Sequence, residues 1–274
     1  IDTLAGPLPV QTMLHLLGLP AEDWRRLWAW SGPVQMLMGG FAAPEAIERL
    51  SREVDALQDY LAPFVDPSSN RDAGAAPEAE GIAAILREAV ATGELEIWEA
   101  RGLLLQLVVG GSETTIGLIA AAIRRIASDP AVARALREDV ESIVPFLEET
   151  NRLDGPAVGS YRRTTVDTEL AGIAIPAGST LTILWSSANR DERVFSDADR
   201  FEPTRPDRKA HLGFGHGTHF CIGAALARTE TRAIVEALLA QYRTIELGPG
   251  AEPARFMPSL LGRRLATLPL RLVA

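Results

Sequence analysis

Only one cysteine, Cys221, stands in the 274 residues, so no disulfide can form within the chain. That usage fits a reducing compartment, and a cytoplasmic location is the expectation. Positive charge is scarce: 27 Lys and Arg against 36 Asp and Glu give a net charge of −9. No run of Lys and Arg breaks the acidic balance, so a nucleic-acid partner, which needs clustered cations, is not expected. Long apolar runs are lacking as well. The longest, Gly102 to Gly111, is interrupted by Gln106 and falls short of the roughly 20 residues that a bilayer requires, so no membrane partner is expected. No secretory leader, internal repeat or low-complexity tract is visible beyond an Ala-rich loop. The first residue is Ile1 and not Met, which suggests a piece of a longer chain.

What is present is ordinary for a protein with a real core: 47% hydrophobic and 23% charged residues. The first two-thirds reads as successive helices. Pro20-Ala-Glu-Asp23 starts one, and Ala43-Pro-Glu-Ala46 starts another that runs through Tyr60. Asp66 to Glu80 reads as a loop, followed by a short helix over Ile82 to Ala91 closed by Gly93. Ile97 to Ala127 is the longest helical pattern, apolar on nearly every face and so buried on all sides. After Asp154 the pattern shifts to β-prone runs, Thr164 to Leu170 and Leu181 to Trp185, with turns at Gly172 and Ile175-Pro-Ala-Gly178. A final helix, Ile222 to Tyr242, and a strand over Leu268 to Val273 complete a mainly α class with a small β part.

The most informative segment is Phe214-Gly-His-Gly-Thr-His-Phe-Cys-Ile-Gly223. Gly215, Gly217 and Gly223 bracket the cysteine, and a helix begins directly after it. The unpaired N–H groups and positive dipole end of a helix N-terminus favour a thiolate. Glycines there let the backbone approach a flat ligand without a Cβ in the way. A lone cysteine is more often a small buried hydrophobe; the flanking glycines argue for iron ligation instead. A zinc-binding helical module is a rival, with His216, His219 and Cys221 as ligands and His211 as the fourth, but zinc ligands usually come as two separated pairs.

The pattern Phe-x-x-Gly-x-x-x-Cys-x-Gly, complete as Phe214, Gly217, Cys221 and Gly223, resembles the haem-binding signature of the cytochromes P-450, and Ala224-Ala-Leu-Ala-Arg-Thr-Glu230 resembles its continuation in soluble bacterial members. The resemblance implies haem b with Cys221 as the axial iron ligand, Phe214 beside the proximal haem face and His219 on a propionate. Three further motifs follow the family's order. Glu149-Thr-Asn-Arg152 places an acid and a base on one helix face, and with Arg205 of Phe201-Glu-Pro-Thr-Arg205 it resembles the family's structural Glu-Arg-Arg triad. Surface pairs of this spacing are usually worth little, so the triad reading leans on the resemblance. Val109-Gly-Gly-Ser-Glu-Thr-Thr115 puts two glycines and four polar residues inside the buried helix, a double penalty that functional sites tolerate. The plain alternative there is close helix packing at Gly110 and Gly111. By resemblance, Glu113 and Thr114 are an acid–alcohol pair that relays protons to dioxygen. In Tyr161-Arg-Arg-Thr-Thr-Val-Asp167, Arg162 aligns better than Arg163 with the propionate-binding arginine, and a guanidinium suits a carboxylate by its bidentate fork. Ala188-Asn-Arg-Asp191 is another family landmark.

Residues 1–274 are thus expected to be a single haem-thiolate domain, the C-terminal two-thirds of a P-450 fold that is incomplete at its N-terminus. The implied activity is a monooxygenase that inserts one oxygen atom of O2 into a small organic substrate. No flavin or nicotinamide fingerprint is present, so electrons would come from a ferredoxin and its reductase, with Arg228 and Arg232 as part of a docking face. Substrate contacts by matched position are Val109, Gly110, Val158, Gly159, Leu260 and Leu261. One departure stands out: in Leu261-Gly-Arg-Arg-Leu-Ala-Thr-Leu-Pro269, Arg264 replaces an expected glycine. The alternatives are a haem-binding fragment or pseudoenzyme without turnover, and the zinc module.

Overall fold

A computed structural model describes residues 1–40, 42–69 and 80–274. Its centre is helix α5, Ile97–Ser128, with α1 (Pro7–Leu17), α2 (Trp24–Met38), α3 (Pro44–Val65), α4 (Gly81–Ala91), α6 (Pro130–Glu138), α7 (Ile143–Asp154) and α9 (Ala224–Gln241) packed around it. A one-turn helix, α8 (Trp185–Ala188), lies between strand and loop. Local chemistry sets the helix ends. Pro7, Pro44 and Pro130 occupy first turns, where a missing N–H costs nothing. Glu96 and Glu99 form a capping box at the start of α5. α1 stops at Gly18, whose φ of +73° is left-handed and whose Cα faces Glu80 O so closely that a Cβ would stand 2.1 Å from it.

From Ile116 onward α5 is buried nearly all round, with Ile116, Ile119, Ala120 and Ala122 fully closed off. Its first half is different. Gly102, Leu103, Gln106 and Thr114 are exposed, and Gly110 is half-buried, so one flank of the helix is open. α5 has the length and hydropathy of a membrane span, a feature the short Gly102–Gly111 run does not convey. Most of that apolar stretch, 61%, is buried within the protein.

Three two-stranded antiparallel sheets make up the β part. β1 (Ser160–Arg163) pairs with β4 (Thr180–Ile183), β2 (Thr168–Leu170) with β3 (Ile173–Ile175), and β5 (Thr244–Leu247) with β6 (Leu270–Val273). The expected run from Thr164 to Leu170 covers β2 but misses β1, which ends at Arg163; in the structure Thr164 and Ser179 exchange hydrogen bonds just beyond the β1–β4 pairing. Other boundaries shift for local reasons. A 3-10 turn over Ala21–Asp23 precedes α2, α3 runs past Tyr60 to Val65 because its apolar face still packs inside, and α9 begins at Ala224, after the Cys221 turn. Trp185 starts α8 and is not strand. Of the expected loop Asp66 to Glu80, residues 70–79 lie outside the described residues.

Candidate functional site

Cys221 sits at the end of a tight loop. Its N–H donates to Phe214 O (2.9 Å), closing the segment on itself, and its carbonyl accepts from Ala224 N (3.3 Å) at the start of α9. Gly215 and Gly217 have φ of +72° and +68°, the left-handed region that glycine enters without strain. The thiol is exposed, and so are the flanking Phe220 (52%) and Ile222 (92%). Apolar side chains standing this far out of an ordered loop form a surface made for an apolar ligand.

Two buried charge networks hold this loop from behind. In the first, Glu149, Arg152 and Arg205 are all at most 1% exposed. Arg152 donates to both Glu149 oxygens (2.8 and 2.7 Å), and Arg205 Nε and Glu202 N both reach Oε1 at 2.9 Å. Burial raises the Glu149 carboxyl, and the hydrogen bonds from Arg152, Glu202 and Arg205 more than reverse this, leaving it below its ordinary value. The spare guanidinium N–H groups bind carbonyls of Asn189, Ser196, Ala198 and Arg200. Phe195 lies under both guanidinium groups. Asn189 then relays the restraint: its Oδ1 accepts from Leu212 N at 2.6 Å, just ahead of the cysteine loop.

Sequence reading missed the second network. Glu148 accepts two hydrogen bonds from Arg228 (2.6 and 2.9 Å) and faces His211 Nε2 at 2.9 Å. His211 Nδ1 accepts from Gly213 N (3.0 Å), which leaves the proton on Nε2 to donate to Glu148. Burial pushes Glu148 up, but Arg228 and His211 win and hold it at about 2. The Arg228 guanidinium lies 4.3 Å from the Phe214 ring centre. The available signal was Glu148 beside Glu149 on a helix whose inner face is apolar. Arg228 is therefore tied to Glu148, and Arg232 pairs with Glu236 at 2.6 Å, so neither is the free cation that a docking face would present.

The zinc cluster does not form. Among the described residues no group of three or more His, Cys, Asp and Glu is placed to hold a metal. His211 is buried on Glu148, while His216 and His219 are exposed. Arg162, on β1, binds only Tyr161 O (2.8 Å) and Ser160 Oγ (3.3 Å), and among the described residues no carboxylate neutralises it.

In α5 the two adjacent glycines divide their labour. A Cβ on Gly111 would stand 2.3 Å from Met13 Sδ, so Gly111 serves the packing of α1 on α5. A Cβ on Gly110 would meet only Gln106 Nε2, at 3.3 Å. Gly110 and Thr114 share the open flank, and the Thr114 hydroxyl donates to Gly110 O (2.7 Å). Glu113 is turned the other way. It is 3% exposed, has no hydrogen-bond partner and does not touch Thr114 through one; Arg264 Nε stands 3.0 Å from its Oε2. Val109, expected among the substrate contacts, is 8% exposed and packs into the core. Val158, Gly159 and Leu261 do come together: Val158 N and Gly159 N both point to Leu261 O, at 2.8 and 3.4 Å. Leu260 is half exposed beside them.

The arrangement fits a haem. An unencumbered thiol, exposed apolar flanks, an open position at Gly217 with nothing within 4 Å of where a Cβ would be, and an un-neutralised arginine match a flat apolar group that carries an iron and carboxylates.

Comparison with known proteins agrees with this geometry. The sequence model named Cytochrome P-450 matches residues 40–269. "Cytochrome P-450 144" of Mycobacterium tuberculosis is 33% identical over 98% of this chain and 60% of its own length. "Cytochrome P-450 monooxygenase PikC" of Streptomyces venezuelae is 32% identical over 99% of this chain and 62% of its own. The solved structure "cytochrome P-450 CREJ in complex with (4-ethylphenyl) dihydrogen phosphate" superposes with a TM-score of 0.90 at 27% identity, covering 99% of this chain and 66% of that one. The chain thus spans a little over 60% of the curated relatives it matches.

Proposed function

Since the chain belongs to the cytochrome P-450 family, a family of haem-thiolate iron enzymes, we propose that it is the haem-bearing part of a monooxygenase acting on a small organic substrate. The observation that carries this reading is the bare thiol of Cys221 at the head of α9, on a loop anchored by two buried charge networks. Phe214, Gly217, His219, Cys221, Gly223 and Arg162 are the residues that would hold haem b, with Cys221 as the iron ligand. When bound, the group supplies dioxygen activation, with the cysteinate sulfur favouring O–O cleavage. Two electrons and two protons then leave one oxygen atom in the substrate and one in water.

The chain's own contribution is positioning, exclusion of water and proton supply. Thr114 and Glu113 are the groups for the last task. Thr114 holds its hydroxyl on the open flank, where it can pass a proton. Gly110, Val158, Gly159, Leu260 and Leu261 line the substrate side, and the ordered pairing of 156–159 with 261–263 supports them as one wall. A ferredoxin and its reductase are the electron source that the family resemblance implies, and these 274 residues carry no flavin or nicotinamide motif.

The reduced, carbon monoxide-treated protein should give the strongly red-shifted Soret band of thiolate ligation, and Cys221→Ala should abolish it. Stoichiometric zinc without a Soret band would overturn the proposal.

A further inference from the structure

Glu113 is the most deeply placed acid on α5, and its only charged neighbour among the described residues comes from the far end of the chain. Arg264 Nε lies 3.0 Å from Oε2, with the two side chains 10% and 2% exposed. Neither Glu113 oxygen nor Arg264 Nε has an aligned hydrogen-bond partner. The contact is therefore held by charge, which acts strongly where water is excluded, and not by directed hydrogen bonds. On its other side the Arg264 guanidinium faces the Trp28 ring of α2, 5.6 Å from its centre.

Arg264 is itself well anchored. Met257 N donates to its carbonyl (2.8 Å), Leu260 N donates to Gly39 O at the end of α2 (2.9 Å), and Arg263 N donates to Pro156 O (2.8 Å). Segment 256–265 thus bridges α2 to the stretch that carries Val158 and Gly159 and leads into β1. Successive residues on a helix point about 100° apart, so Glu113 and Thr114 cannot both face the open flank without a side-chain movement. The cation that fixes the Glu113 carboxylate stands where the family resemblance leads one to expect a glycine, which could make no such contact.

We infer that Arg264 is the positioning residue for Glu113: it fastens the carboxylate to the 256–265 segment and thereby sets how this acid serves Thr114. The inference rests on the reading of Glu113 and Thr114 as the proton-supplying pair. Two electrons and two protons take dioxygen to hydrogen peroxide, and four of each take it to water, so the share of peroxide measures how well protons are supplied. A displaced carboxylate supplies them poorly, and the peroxide share rises.

The test uses the haem-loaded protein without substrate, a plant-type ferredoxin with its reductase as electron source, and peroxide released per electron consumed as the first readout. Arg264→Met should raise that ratio several-fold, Arg264→Lys should restore most of it, and Arg264→Met should add nothing on a Glu113→Gln background. The second readout needs no turnover. An infrared difference between the protein and Glu113→Gln isolates the Glu113 carboxylate stretch, which Arg264→Met should move and Arg264→Lys should partly bring back. An unmoved band, or an Arg264→Met effect equally large without Glu113, overturns the inference. If instead the band moves but Glu113→Gln leaves the peroxide ratio unchanged, the tether is real and the proton-supply reading of Glu113 is what falls.

Discussion

At the scale of single residues, neighbours in sequence have opposite environments. Gly111 faces Met13 and Gly110 faces an open flank, so the same substitution has opposite consequences at the two positions. Gly110→Ala removes a glycine from a helix interior, worth about 1 kcal/mol, and is expected to raise the melting temperature while weakening haem or ligand binding on that flank. Gly111→Ala gains the same propensity term but forces a methyl into Met13, and overpacking costs about 1–3 kcal/mol. It should lower stability by about 1 kcal/mol net. Thermal melting of both variants, with haem titration of each, checks the pair of signs. The sequence shows two glycines in a buried helix, but which one packs depends on where Met13 arrives from α1. That is a tertiary fact with no local signature.

At the scale of elements, α7 is the beam on which the site is hung. Its Glu149 and Glu148 face two different networks, one gripping the segment from Asn189 to Arg205 and the other gripping His211 and α9. Breaking a buried ion pair by removing one partner costs about 3–5 kcal/mol. Glu149→Gln leaves the Arg152 guanidinium without a counter-ion and Arg205 with only Asp207, 3.4 Å away, and should cost that much, measured by denaturant unfolding, with loss of haem retention. Glu149, Arg152 and Arg205 were legible as spacing plus family order. The Glu148 network was not, because His211 and Arg228 lie 63 and 80 residues away and nothing in their own surroundings announces the shared carboxylate. Helices were legible through periodicity and proline or acidic starts, whereas the strands, only three or four residues long, were blurred by their connecting turns.

At the scale of the whole molecule, buried acids give stability a pH dependence of both signs. Glu230 on α9 is 6% exposed and neither oxygen has a hydrogen-bond partner, because the Thr12 hydroxyl that faces it donates to Leu8 O instead. Burial pushes its carboxyl up from 4.5 to about 7. The folded state therefore holds a proton that the unfolded chain releases, so this group's contribution is present below pH 4.5 and is lost as pH rises through about 7. Glu148 works the other way: its contribution is present above pH 4.5 and is lost as pH falls towards about 2. Glu230→Gln should flatten the decline between pH 4.5 and 7 and stabilise the protein at pH 8 by up to about 3 kcal/mol, at about 1.4 per pH unit. Denaturant midpoints across that range decide it, and an unchanged slope would contradict it. The triad also carries a consequence for biosynthesis. Glu149 and Arg205 are 56 residues apart, and at about 5–20 residues per second roughly 3–11 seconds separate their emergence from a ribosome. During that interval α7 holds a carboxylate with only one of its two arginines. One support of the cysteine loop is thus delivered by the clock of translation, and Cys221 itself follows within another few seconds. A nascent chain stalled between the two would expose α7 without its second clasp.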